Sequence, residues 1–383
     1  MKVVFISNFM NHHQLPFSNA MAQNPEIEYT FIATEPIPEE RLQMGYHDMN
    51  HQYDFVVCSY DGGESYNKAL KICYDADVVI FGSAPEKFIK KRLRKGKLTF
   101  KYSERIYKIK PPFYQMPLRI VKYFLKNGIY KNLYMLCASA YTAADYAKTF
   151  TFLNKTYKWG YFPEVKKYKN LDTVIKSKKK NSLLWVGRFI DWKHPECAVE
   201  IAHRLKNEGY SFTLNIIGTG GMENELKELI SKYDLQDCVY MLGSMSPENV
   251  REYMESSEIY LFTSDRQEGW GAVLNESMNS GCGVAASSAI GSVPFLLKNG
   301  ENGYIYRDGD VDDLYAKVKC LLDNPEKVKT FGKNAYETLC NEWNAENAAD
   351  HLVCLLKEIL GGNKKPNIFD NGVCSKALIL EEK

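Results

Sequence analysis

Twice along this chain, short runs rich in β-branched and aromatic residues alternate with amphipathic stretches of helical period. In the first series the runs are Val3 to Ser7, Tyr29 to Ala33, Phe55 to Ser59, Val78 to Phe81 and Tyr134 to Ala138, with helical spacing between them, as at Glu64 to Tyr74. The second series starts at Ser182, and its runs are Leu183 to Val186, Phe212 to Ile217, Val239 to Leu242, Ile259 to Phe262 and Val284 to Ser287. Between these lie helical stretches at Pro195 to Lys206, Met222 to Tyr233 and Pro247 to Met254. Parallel strands need a crossover connection, and the crossover helices cover both faces of the sheet, so this alternation predicts doubly wound α/β folding. A chain of 383 residues also exceeds the size at which one core stops growing. The expectation is therefore two doubly wound parallel-sheet domains, one over 1–163 and one over 181–342. The lysine-rich segment 164–180 reads as a linker, and residues 343–383 as a final helix returning to the first domain, plus a tail.

In open parallel sheets, ligands bind beyond the carboxyl ends of the strands. The second series puts glycines and charges there four times: Gly187-Arg188, Gly218-Thr219-Gly220-Gly221, Gly243-Ser244, and Ser264 to Glu268. Arg188 and Lys193, close together in G187-R-F-I-D-W-K193, offer two fixed positive charges suited to a diphosphate; the alternative is a salt bridge with Asp191. Gly218 to Gly221 lacks the third glycine of a dinucleotide fingerprint, and reads as a tight turn admitting a nucleotide or as a plain strand-to-helix turn. Glu268 and Glu276 flank Gly269-Trp270-Gly271 and a helix start, whose free amides suit an anion. Helical rise separates the two carboxylates by roughly 12 Å, whereas hydrolytic carboxylate pairs sit roughly 5 to 9.5 Å apart. They read as grips on separate parts of one elongated anionic ligand, or as ordinary loop and helix carboxylates. In the first series, the loop after the first run offers hydrogen bonds from Asn11, His12, His13 and Gln14.

Composition excludes other classes. No apolar run approaches the ~20 residues of a membrane span, and the chain opens without a basic, apolar and small-residue leader, which predicts a cytoplasmic protein. The ten cysteines include no C-x-x-C pair and read as buried thiols rather than metal ligands. We expect no cofactor. The absence of a D-x-D motif at a strand end is read as removing the need for a divalent metal, and Asp310 or Asp312 as a helix cap. Net charge is only +2, yet residues 86–131 hold 15 Lys and Arg against 2 acidic residues, interleaved with Phe88, Leu93, Phe100, Tyr107, Phe113, Leu118 and Leu125. That mixture suits an anionic membrane surface; a solvated face is the bland alternative, and a nucleic-acid face is not expected.

G187-R-F-I-D-W-K193, I216-I-G-T-G220, V239-Y-M-L-G243, E268-G-W-G-A-V-L-N-E276 and N299-G-E-N-G303 resemble, in order and spacing, the C-terminal domain of retaining GT-B glycosyltransferases of the family-four, or group 1, type. The resemblance implies two Rossmann-like domains facing across a cleft, and transfer of a hexose-type sugar from a nucleoside-diphosphate sugar with retention. It makes Arg188, Lys193 and Glu268 catalytic, the first two as diphosphate ligands and Glu268 as a contact to sugar hydroxyls. It makes Gly187, Gly218, Gly220, Gly243, Gly269, Trp270, Gly271 and Glu276 donor-binding, with Glu276 at the ribose. Asn11, His12, His13 and Gln14 replace the usual glycine pair of the first loop, as in a branch of surface-polysaccharide transferases, which implies a glycan or lipid-linked glycan acceptor and a place at the inner face of the cell membrane. His194 stands where glycine is common. A nucleotide-sugar epimerase of the same fold and a non-catalytic nucleotide-sugar-binding protein are the alternative readings.

Overall fold

The structure, a computed structural model, describes residues 1–39, 42 and 47–380. It contains two sheets. The first is built from β1 (Lys2–Ser7), β2 (Glu28–Ala33), β3 (Val56–Cys58), β4 (Val78–Phe81), β5 (Thr99–Ser103), β6 (Leu133–Cys137) and β7 (Thr156–Lys158), in the order β3-β2-β1-β4-β5-β6-β7. The second comprises β8 (Lys179–Val186), β9 (Thr213–Ile217), β10 (Val239–Met241), β11 (Ser257–Phe262), β12 (Gly283–Ser287) and β13 (Tyr304–Tyr306), in the order β10-β9-β8-β11-β12-β13. Every named pairing is parallel, from Phe5 opposite Phe31 in the first sheet to Ile259 opposite Leu183 in the second. The expected pair of doubly wound parallel sheets is present. Helices on both faces explain why central strands such as Val3 to Ile6 and Ile259 to Phe262 are buried without alternation.

Strand order reverses between β1 and β4 in one sheet and between β8 and β11 in the other. Loops leaving two strands that neighbour each other but run to opposite sides of the sheet part there, and leave a crevice. The first compact unit is Met1–Glu164 together with residues 343–380; the second is Val165–Glu342. In the first unit, the final helix Ala345–Leu360, capped by Asn344, lies along the helix Leu15–Gln23. The tail then runs beside β7. Cys374 N donates to Lys158 O at 2.9 Å, Ala377 N to Thr156 O at 3.1 Å, and Tyr157 and Lys376 form an antiparallel bridge. Its backbone groups cover an otherwise open sheet edge. The last three residues of the expected tail, 381–383, lie outside the described residues.

Three strands escaped the sequence reading. Thr99–Ser103 (β5) lies inside the basic run, and Lys101 within it is only 8% exposed, offset by Glu86 at 3.2 Å. The segment expected as a linker is ordered: Asn170 caps a helix over Leu171–Ser177 through Thr173 N, and β8 begins at Lys179. Lys178 is buried because its ammonium caps carbonyls of Met254 and Ser257 at 2.8 and 2.9 Å. The basic run is likewise not one surface. Arg92 is fully buried, donating to the carbonyls of Ala76, Asp77 and Leu98 at 3.2, 3.3 and 2.6 Å, and Phe88, Leu93, Phe100 and Tyr107 belong to the interior. Lys87, Lys90, Lys91 and Arg94 are exposed, but large apolar side chains are exposed only in the second part: Phe113, Tyr114, Leu118, Val121, Leu125 and Ile129, with Phe113 at 91%. All ten cysteines are free, and Cys354, expected to be buried, is exposed because it lies on the outer face of the last helix.

Candidate active site

The second switch point brings together the loop after β8 and the loop after β11. Gly187-Arg188 leaves β8, and a single turn over Asp191–Lys193 follows. That turn is tied to the end of β11: Thr263 Oγ1 donates to Lys193 O at 2.7 Å, the Trp185 indole donates to Thr263 Oγ1 at 2.8 Å, and Asp265 N donates to Trp192 O at 2.9 Å. Lys193 consequently reaches Glu268 and forms an ion pair with its Oε2, to which Ser264 Oγ also donates at 3.1 Å. Both side chains of the pair are close to nine-tenths buried. Arg188 remains exposed, with its guanidinium 5.9 Å from the centre of the Trp192 ring. Among the described residues no carboxylate pairs with it, so the salt bridge to Asp191 allowed by sequence does not form.

The glycines have two different reasons. A Cβ on Gly218, at φ +144°, would lie 1.8 Å from Gly187 O, and one on Gly220 would lie 2.4 Å from Phe189 O. These glycines therefore admit the chain's own β8 loop, and Gly218 N donates to Gly243 O at 2.8 Å to complete the junction. Gly271 is different. At φ +81° it turns the chain tightly over Phe262 and beside Glu268 into the helix Val273–Asn279. Trp270, between the two glycine positions Gly269 and Gly271, is fully enclosed and donates to Asn275 Oδ1 at 2.9 Å. Its indole anchors the loop, and the backbone of Gly269 to Gly271, the part that the resemblance implies as a cradle, runs over it.

Glu276 sits on this helix, and burial pushes its carboxyl up to about 6, against a smaller pull downward from Arg251. Burial raises the Tyr260 hydroxyl far above its ordinary value, and Glu276 and then Glu268 add to the effect. Both carboxylates are thus within electrostatic reach of one tyrosine in the second half of β11. Sequence reasoning had no signal for Tyr260 or Thr263 as supports of this site, since each reads as one more strand residue. Ser264 fell within the stretch singled out, without a role.

In the first unit, the loop after β1 is held by its own Asn11. Asn11 Oδ1 accepts from His13 N at 3.0 Å, and Asn11 O accepts from Gln14 N and Leu15 N, both at 3.0 Å, starting the helix Leu15–Gln23. The His12 and His13 rings lie 3.8 Å apart, and His13 stacks 6.0 Å from Tyr161. All four groups therefore occupy the carboxyl end of β1 at that sheet's switch point. One sequence premise needs correction: Asp308-Gly309-Asp310 follows β13 after Arg307 alone and is a D-x-D at a strand end. Asp310 is engaged in capping the next helix through Asp313 N at 2.9 Å, and Asp308 Oδ1 accepts from Ser287 Oγ at 3.0 Å.

Comparisons with known proteins meet this geometry. Residues 164–338 match the family described as Glycosyl transferases group 1. The amylovoran biosynthesis glycosyltransferase AmsK of Erwinia amylovora is 32% identical over 182 residues, 46% of this chain and 44% of that protein. A colanic acid biosynthesis glycosyltransferase, WcaL of Salmonella typhimurium, described as putative, is 27% identical over 46% of this chain and 45% of its own length. The matches thus span under half the length of these relatives. HepE of Anabaena, solved with UDP, superposes with a TM-score of 0.68 at 14% identity over 94% of this chain and 100% of its own. Sucrose-phosphate synthase of Thermosynechococcus elongatus gives 0.64 at 15% identity over 94% and 99%. Residues 164–338 are a group 1 glycosyltransferase domain, and the chain that carries them has the two-sheet GT-B fold.

Proposed function

We propose that this protein transfers a hexose-type sugar from a nucleoside-diphosphate sugar to an acceptor hydroxyl, with retention at the anomeric carbon. The observation that carries the reading is the Lys193–Glu268 pair beside the unpaired Arg188, in a group 1 domain at a sheet's switch point. The bond from anomeric carbon to the β-phosphate oxygen breaks, a bond to the acceptor oxygen forms, and the acceptor proton passes to the leaving phosphate. Charge grows on the diphosphate as this happens. Arg188 and Lys193 stabilise it more in the transition state than in the ground state, which is what lowers a barrier. Glu268 binds sugar hydroxyls, Glu276 the ribose, and the Gly269 to Gly271 backbone approaches the phosphate and sugar. With both cations supplied by the chain, the reaction needs no divalent ion, and chelation leaves the rate unchanged.

The names of AmsK and WcaL, which place them in amylovoran and colanic acid biosynthesis, support a surface-polysaccharide or lipid-linked glycan as acceptor. Contact with that acceptor is made at the inner face of the cell membrane, where the exposed apolar side chains of 109–129 enter the headgroup region and Lys122 meets anionic lipid, while Lys126 is paired with Glu86 at 2.8 Å. No helix among the described residues is long and apolar enough to cross a membrane. The test is direct: incubate the protein with a panel of nucleotide sugars and lipid-linked glycans, and follow nucleoside diphosphate release and the anomeric configuration of the product. Inversion, or turnover of the donor to an epimer without transfer, defeats the reading.

A further inference from the structure

His194 links the two loops of the site. Its backbone is left-handed, at φ 49° and ψ 52°, where it ends the Asp191–Lys193 turn and begins the helix Pro195–Asn207. A histidine keeps that conformation only when its surroundings hold it there, because a side chain with a Cβ is strained in it and glycine is not. The surroundings are carboxylates. Nδ1 lies 2.8 Å from Glu196 Oε1 on the following helix, Nε2 lies 3.8 Å from Asp265 Oδ2 in the loop after β11, and Asp308 in the loop after β13 adds its field. The neighbouring cation, Lys193, is turned to Glu268 instead. Asp265 is itself built into the Glu268 loop: its carbonyl accepts from Glu268 N at 3.1 Å and its Oδ1 from Gln267 N at 2.7 Å.

We propose that His194 is a positioning residue: as an imidazolium between Glu196 and Asp265, it fixes the Lys193 turn against the loop that bears Glu268. The charge state matters because Asp265 stands 3.8 Å from Nε2, beyond hydrogen-bond reach, and only a charged ring attracts its carboxylate across that distance. The hydrogen bond to Glu196 holds the imidazole above its usual pKa, burial opposes this, and the charges of Glu196, Asp265 and Asp308 reinforce it. A raised folded value gives the sign: the bridge is complete below the ordinary histidine pKa and is lost as pH rises through the raised one. The kinetic consequence rests on the transferase reading, but the bridge does not.

Two arms separate them. In the full-length protein, the Cε1–H resonance of His194 should titrate above its ordinary value and move down in both Glu196→Gln and Asp265→Asn; titration at or below the ordinary value overturns the proposal. In the second arm, His194→Gly and His194→Asn adopt the left-handed backbone at least as easily, so relief of strain offsets the lost bridge and their melting temperatures change little. Their kcat/KM for donor should fall about five- to tenfold at pH 6, and the alkaline fall of the native pH profile at the His194 pKa should vanish. An Asn variant that keeps the native rate and the native inflection also overturns it. If the native protein releases no nucleoside diphosphate, the transferase reading falls and the resonance arm decides the bridge by itself.

Discussion

The two sheets have one winding order, yet their switch points hold opposite chemistry. Beyond β8 and β11 stands a largely buried ion pair, Lys193 with Glu268, and an exposed guanidinium; beyond β1 stand the uncharged amides of Asn11 and Gln14 and two imidazoles. Topology chooses the place, and side chains choose the role. A cation held against a carboxylate out of water is costly to keep and is ready to exchange that partner for a phosphate, whereas amides and imidazoles, which both donate and accept, suit a hydroxyl-rich ligand. The same distinction divides the structure's glycines: Gly218 and Gly220 serve the chain's own close approach, and Gly271 shapes the turn beside Glu268.

Breaking the charged switch point should have the largest effect. Lys193→Ala leaves Glu268 buried without its cation, and we expect kcat/KM to fall about 100- to 1,000-fold, by analogy with loss of one transition-state donor. Stability should drop by about 3 kcal/mol, the scale for removing one partner of a buried pair; denaturant melts and nucleoside diphosphate release measure the two separately. A variant within tenfold of native activity removes the distinction drawn between the loops. Glu276 gives a smaller, pH-dependent effect. Its folded pKa of about 6 lies above the ordinary carboxylate value, so the ionised form carries a penalty that is absent in acid and complete above pH 6. Each tenfold weakening of the acid is worth about 1.4 kcal/mol, so Glu276→Gln should stabilise the ligand-free protein by up to about 2 kcal/mol at about pH 8, and by nothing near pH 4. Equal melting temperatures of the two proteins at the alkaline end contradict this. At the switch point beyond β1, His12→Ala with His13→Ala should lower kcat/KM by about tenfold, the scale of one or two hydrogen bonds, and leave the alkaline pH dependence intact.

Much of this was legible in the sequence because it is local. Unbroken apolar runs marked the central strands, and glycines with charges at strand ends marked the Lys193 and Glu268 loops. What sequence hid was set by partners far along the chain. Lys101 reads as surface until Glu86 is placed beside it, and Lys178 until the carbonyls of Met254 and Ser257 are. The partner of the Trp270 indole is hidden likewise until the turn into the helix brings Asn275 beneath it. Asp308-Gly309-Asp310 was passed over because β13, only three residues long, carries too little periodicity to announce a strand end.

The basic run sharpens the same lesson, since composition treats as one what folding divides. Arg92 and Leu118 both lie within it, one fully buried among backbone carbonyls and the other 77% exposed. Arg92→Met should destabilise the protein while leaving vesicle binding per folded molecule as it was, because the guanidinium satisfies carbonyls that water cannot reach. Leu118→Ser, paired with Phe113→Ser, should leave the melting temperature unchanged, because neither side chain is covered in the folded protein. It should weaken sedimentation with anionic vesicles by about 1 kcal/mol for each side chain withdrawn from the interface, somewhat below the value for full burial. High salt should weaken the native protein's binding without abolishing it, since screening removes the lysine contribution and spares the apolar one. Binding that persists unchanged in the double variant but disappears in salt means that charge alone holds the surface, and then the exposed apolar side chains of 109–129 need a different partner.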